Sequence, residues 1–173
     1  MKKGGRILAE SNRPRPGGQA GPHLSDSMIL FVDVNLKDVS RLGKNFPWPK
    51  PAMCPRCFLS HVWGHGYSNT FFDGFFNALL MRRFRCPGCG CVMKCRPRSH
   101  FSRFQSAIDT IKSHLACRVA SGRWPASPDR GRHWLRALKR QTLARLGLLW
   151  RNRLLESFDR LCRLGIVPVS GSL

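Results

Sequence analysis

Acidic side chains are scarce in this chain: nine Asp and Glu stand against 30 Lys and Arg in 173 residues, a formal net charge of +21. So one-sided a charge opposes compaction by self-repulsion and favours a polyanionic partner, nucleic acid first. Long apolar runs are also missing. The best, 71–81, is broken by Asp73 and Asn77 and falls short of the roughly 18 uncharged apolar residues that cross a bilayer, so no membrane partner is expected. The start, MKKGGRILAE, offers only Ile7, Leu8 and Ala9 as an apolar stretch, too short for a secretory core, and a cytoplasmic, nucleoid-associated protein is expected. Carboxylates able to hold two catalytic metal ions are lacking as well. Beyond the cysteine-rich centre only Asp109, Asp129, Glu156 and Asp159 remain, at capping or amphipathic positions, so the chain is not expected to be an enzyme.

What is present begins with arginine, 22 of the 30 basic residues, whose planar fork suits phosphate and guanine edges. An apolar content of 42% argues for folded structure, while 16 Gly and 12 Pro imply much irregular chain and small cores. Small cores need a staple. Eight cysteines can provide it, and in a cytosolic protein paired cysteines more often hold a metal than each other.

Along the chain, 1–26 is rich in Gly, Pro, Arg and Ser without hydrophobic period and reads as a disordered basic tail. SMILFVDV at 27–34 reads as one strand, and the three prolines of FPWPKP at 46–51 as an extended connector. The region 27–100 is expected to be a zinc-ribbon domain with a preceding strand, its spacer forming a hairpin of 59–66 with 67–85 and its turns at Gly64, Gly66 and Asp73-Gly74. From Ser102 the period lengthens to about 3.6, with Phe104, Ile108, Ile111, Leu115 and Val119 on one helical face, ended by Gly122 and Pro125. Ser127, Pro128 and Asp129 signal the next helix start, and Leu135, Leu138, Thr142, Leu146 and Leu149 line one side of it. The region 101–146 is thus expected to be helix-turn-helix-like, and 147–173 an amphipathic helix (Trp150, Leu154, Phe158, Leu161) with a frayed tail after Pro168. The fold class is α+β: short antiparallel strands, then two or three helices.

Cys54-Pro-Arg-Cys57 and Cys86-Pro-Gly-Cys89, 28 residues apart, are two knuckles that together offer four thiolates to one tetrahedral ion, most naturally a structural Zn²⁺. A redox pair would want a thioredoxin-like βαβ context, which the flanking pattern lacks. Cys91 and Cys95 are read as spare thiols, with replacement of a neighbouring ligand left open, and His61, His65 and His100 as polar strand residues before ligands. Cys117 and Cys162 fall on helices as small core residues. Four protein ligands leave no open coordination position, so the ion would fold the module and not catalyse.

Between Met81 and Arg153 lie 18 Lys and Arg against Asp109 and Asp129. Arg132, Arg136, Lys139 and Arg140 recur on one side of the second helix, opposite its leucines, and with Arg130 form a candidate DNA-contacting face. Arg82, Arg83 and Arg85, leading into the second knuckle, are candidate phosphate clamps, and Trp63, Tyr67, Phe71 and Phe72 either stack on bases or fill the ribbon's core.

WPKPAMCPRC at 48–57, VWGHGYSNTFFDG at 62–74, RRFRCPGCG at 82–90 and SGRWPASPDRGRHWLRAL at 121–138 together resemble a prokaryotic family of small transposon-associated proteins. Its members are similar to the N-terminal zinc-ribbon and helix-turn-helix part of insertion-sequence transposases. The resemblance implies DNA as partner, with a separate transposase or a second copy beside it, Cys54, Cys57, Cys86 and Cys89 as ligands, and the Arg-rich helix as reader. Two other readings of the residues stand beside it: an RNA- or ribosome-associated zinc ribbon, and an adaptor whose helix at 148–164 docks a partner.

Overall fold

The computed structural model describes residues 27–125 and 128–171, so the expected basic tail and the cap at Ser127 lie outside the described residues. The described residues are α+β, with a four-stranded mixed sheet and four helices among them. Strand β1 (Ser27–Val32) is followed by a short helix α1 (Leu36–Leu42) and the extended connector. Strands β2 (Trp63–Thr70), β3 (Leu79–Arg85) and β4 (Val92–Pro97) then form an antiparallel meander, and β1 joins its far side parallel to β4, giving the order β1-β4-β3-β2. Helices α2 (Ile108–Ser121), α3 (Pro128–Arg145) and α4 (Leu154–Arg163) complete the fold.

Helix α1 escaped the sequence reading because it is only seven residues long and carries one buried side chain, Val39. Its start is local chemistry: the Asn35 side chain accepts from the Lys37 amide at 2.9 Å, and Asp38 sits in the first turn. The hairpin also differs from expectation. Its strands are 63–70 and 79–85, and the turn is made near Asp73-Gly74, where Gly74 has a φ of 84°. Gly64 and Gly66 lie instead at a bulge within β2. A Cβ on Gly64 would come within 2.1 Å of the Arg82 guanidinium, which crosses this point to lie over the Tyr67 ring at 4.8 Å.

The first long helix begins at Ile108 and not near Ser102. The intervening segment is spent otherwise: Arg96 donates to the carbonyls of Phe101 and Phe104, and the Ile108 amide donates to Ser99. Phe104 still joins the helical core from its loop, whereas Val119 is 50% exposed. Helix α3 starts at Pro128 as expected, but its buried side is Gly131, Trp134, Ala137, Leu138, Gln141 and Thr142, with Leu135 only partly covered. Gly147, at a φ of 88°, ends the helix, and a single 3₁₀ turn (Leu148–Trp150) precedes α4, leaving Leu149 93% exposed instead of on the packed side. Of the tail expected to fray after Pro168, residues 169–171 are described and are packed: Val169 is fully buried in the helical core, and Arg140 donates to the Gly171 carbonyl. Side chains from 101–146 and from 147–171 thus pack into one core.

The two sheet faces and the helices make three cores. One joins Met28, Leu30 and Val32 of β1, Phe84 of β3 and Met93 and Cys95 of β4 to the two cysteine knuckles. A second gathers Val39, Phe72, Leu79 and Met81 where α1 covers one end of the opposite face. The third is helical, around Ile111, Leu115, Trp134, Leu138, Phe158 and Leu161. A polar strap links the halves: Asp73 of the hairpin loop accepts from Ser106 and from Arg130 at the start of α3, and its amide donates to Gln105.

Candidate metal centre

The knuckle before β2 and the knuckle joining β3 to β4 are built alike. In the first, the Cys54 amide donates to Leu59 and Phe58 donates to Cys54, both at 2.8 Å. In the second, Cys86 donates to Cys91 and Gly90 to Cys86, both at 3.0 Å. The fifth residue of each must adopt a positive φ, 59° at Phe58 and 72° at Gly90. Phe58 is the only described residue other than glycine with such a φ, and its ring is 73% exposed, so packing does not account for the strained backbone. What the backbone gains is a turn that points both thiols of the knuckle the same way.

The four sulfurs of Cys54, Cys57, Cys86 and Cys89 lie within 4.8 Å of one another. The cross-knuckle separations are 3.7 Å between Cys54 and Cys89 and 3.5 Å between Cys57 and Cys86. Tetrahedral ligation at a metal-sulfur distance of about 2.3 Å requires sulfurs about 3.8 Å apart, so the donor set fits one four-coordinate ion. The cluster can hold a metal ion. Cys54 and Cys86 are fully buried against the first sheet core, Cys89 is half-buried and Cys57 faces solvent, so the site lies at the edge of the core and its outer side is open.

The electrostatics favour the thiolate at Cys54 and Cys86. Burial pushes the Cys54 thiol up, but the amides of Cys57 and Arg56 and the neighbouring sulfurs outweigh it and bring the value down to about 7. The Cys89 amide, against the opposing effect of burial, lowers Cys86. Cys57 moves the other way: the Leu59 amide lowers it, yet Cys86, burial, Cys89 and Cys54 together push it up to about 12. Four adjacent sulfurs cannot all ionise without a cation among them, which is the electrostatic counterpart of the geometry.

Cys91 and Cys95 do not enter the cluster. Both are buried beneath it in the sheet core, where burial raises their thiols, Cys95 to about 11, as befits inert core residues. None of the candidate histidines joins the sulfurs. His100 is buried edge-on to the Phe72 ring at 4.8 Å with its Nδ1 beside the Ser99 hydroxyl. Cys162 packs in the helical core, and Cys117 lies near the Ser121 hydroxyl one turn along α2.

The candidate phosphate-binding arginines fall in three places. On α3, Arg132, Arg136, Lys139 and Arg140 are exposed on the side opposite Trp134, Leu138 and Thr142. Arg132 has Asp129 at 3.4 Å and Arg140 is tied to Gly171, whereas Arg136 and Lys139 have no acidic partner among the described residues. Arg130 is engaged in the strap to Asp73 and Ser106. Arg82 lies on the face of Tyr67 and Phe84, while Arg83 and Arg85 point to the other side of the sheet, as the alternation of β3 requires. Phe72 is core and Trp63 and Phe71 are exposed. Sequence reasoning missed Lys94, the cross-strand neighbour of Arg83, because that pairing exists only once β3 and β4 are in register. It also missed Arg118, whose guanidinium lies 5.5 Å from the Trp124 ring and, with Arg132 and Arg136, lines a cleft between α2 and α3.

Comparison with protein-family models, with curated proteins and with solved structures finds no match to this chain. No helix among the described residues is long and apolar enough to cross a membrane.

Proposed function

We propose that this chain is a zinc-stabilised DNA-binding protein of the transposase-related kind, acting by binding and not by catalysis. The observation that carries the reading is the pairing of a closed four-sulfur site with a helix whose exposed side is cationic and whose other side is buried. Zn²⁺ suits the donors best, since thiolates in tetrahedral array are its usual structural set. Knuckle, β2, β3, knuckle and β4 follow one another as in a zinc ribbon, with β1 an added parallel strand.

In the same reading α2, the connector 122–127 and α3 act as a helix-turn-helix-like unit, with α3 presenting Arg132, Arg136, Lys139 and Arg140 to a DNA groove. Phosphate contacts then dominate affinity and make it fall steeply with salt. The test is duplex binding by the zinc-loaded chain before and after Arg132, Arg136 and Lys139 are changed together to Ala. Weaker binding with a salt slope lowered by about 3 is expected. Unchanged affinity and slope overturn the assignment of α3.

A further inference from the structure

Among the described residues, one half-face of the sheet has no cover. The register places Trp63 of β2 opposite Arg85 of β3, Arg85 opposite Val92 of β4, and Arg83 opposite Lys94, which in turn faces Ile29 of β1. All these side chains therefore project from one side. At the Leu79 end that side is closed by Val39, Phe72 and Met81, and Arg96 is drawn into the closure over the Phe72 ring at 5.0 Å. Past that point the face is open: Trp63 is 58% and Ile29 44% exposed, with Arg85 and Lys94 in solvent between them.

The open half-face bears Arg83, Arg85 and Lys94 and no acidic residue. Arg83 has a buried Nε that meets no acceptor. At its β2 edge Trp63, His65, Arg85 and Pro87 line a cleft of about 360 Å³, a volume in the range of small-ligand sites, beside the second knuckle. Like charge argues against a second copy of this cationic surface as occupant. An exposed indole beside three cations instead combines the two elements that bind unpaired nucleic acid: a ring for a base to stack on and a cationic track for its phosphates.

We infer that the open sheet half-face is a second nucleic-acid site, which takes a single strand with a base on Trp63 and phosphates on Arg83, Arg85 and Lys94. A duplex, whose bases are stacked inside it, offers no ring to Trp63, so this site selects melted or unpaired ends and is distinct from the α3 surface. The inference shares with the proposed function only the polyanionic class of the partner. Its position beside the second knuckle makes it depend on the sulfur cluster being closed, because Pro87 and Arg85 flank Cys86 in sequence.

The test measures anisotropy of labelled twelve-nucleotide oligothymidine, oligouridine and a duplex of equal length with the full zinc-loaded chain, Trp63→Ala, Trp63→Phe, the pair Arg85→Ala and Lys94→Ala, and the α3 triple variant. Trp63→Ala is expected to weaken the single strands about 30-fold, the middle of the range for one lost stack, and to leave the duplex unchanged. Trp63→Phe retains most of the affinity, and the Arg85/Lys94 pair lowers the single-strand salt slope by roughly 1 to 2. The α3 triple variant shows the reverse pattern. Loss of duplex binding in the native protein, with single strands still dependent on Trp63, sinks the α3 reading and leaves this one standing. Single-strand affinity indifferent to Trp63, or polyglutamate displacing the oligonucleotides as well as unlabelled single strands do, overturns it.

Discussion

The sheet half and the helical half solve the same problem, holding a strongly cationic chain together, by different means. The helical half has one continuous core in which Ile111, Leu115, Leu138, Phe158, Leu161 and Val169 are all at or below 1% exposure. Each such side chain contributes about 1.5 to 3 kcal/mol by leaving water, so burial is the main cohesion of this half. The sheet half divides its apolar side chains between two small clusters on opposite faces, and half of one face is uncovered. There the four sulfurs form a cluster that can hold a metal ion. One half is held by hydrocarbon; on the proposed zinc-binding reading the other depends on an ion, and their responses to perturbation then differ.

The largest effect separates them outright. On the proposed reading of a zinc ribbon, a strong chelator under reducing conditions should collapse the amide dispersion of β2, β3 and β4 while leaving that of α2, α3 and α4, because binding energy and folding energy are then one quantity. A spectrum that loses both halves together would show that the Asp73, Ser106 and Arg130 strap couples them into one unit. Next in size is Leu138→Ala, fully buried in the helical core, expected to cost about 2 to 5 kcal/mol in denaturant melts followed by helical circular dichroism, with metal content unchanged. A change in metal stoichiometry would break the comparison from the other side.

A smaller effect is expected of Gly131→Ala. A Cβ at this position would stand 2.6 Å from the Trp124 ring, which lies against the start of α3. The expected loss is about 1 to 3 kcal/mol by the same melts, and a neutral result would show the indole free to shift. The smallest effect is a pH dependence. Burial first, then Arg96, holds the His100 imidazole below its ordinary 6.5, against the opposing pull of Asp73 and the Gln105 backbone. The unfolded chain therefore binds the proton more readily, and His100 contributes stability that is present above about pH 6.5 and lost as the pH falls through the lower folded value. His100→Gln should flatten the stability slope of the Phe72 region between pH 7.5 and 5.5, read by amide exchange; an unchanged slope removes His100 from the account.

Much of the sulfur site was legible because CPRC and CPGC are local patterns, and each turn is closed by backbone hydrogen bonds within five residues. The partition of the cysteines was legible only in part: the symmetry of the two knuckles favours Cys91 and Cys95 as spare thiols, and their burial in the sheet core is visible only in the fold. Starts of α3 and the break at Gly147 were written in Pro128, Asp129 and a glycine at positive φ. What could not be read depends on partners distant in sequence. The helix at 36–42 is too short to show a period, the segment 98–107 is held by Arg96 instead of a helix, and Val169 is buried only because α2, α3 and α4 leave a place for it. The parallel pairing of β1 with β4, which makes the open face, spans more than 60 residues and has no local signature.

The central claim, that four cysteines from two separated knuckles hold one metal ion that the sheet half needs, is tested most directly by native mass spectrometry of the reduced, folded chain. One Zn²⁺ per chain is expected, lost in Cys86→Ser together with the dispersion of β2 to β4. A folded chain that carries no metal and keeps that dispersion would contradict it.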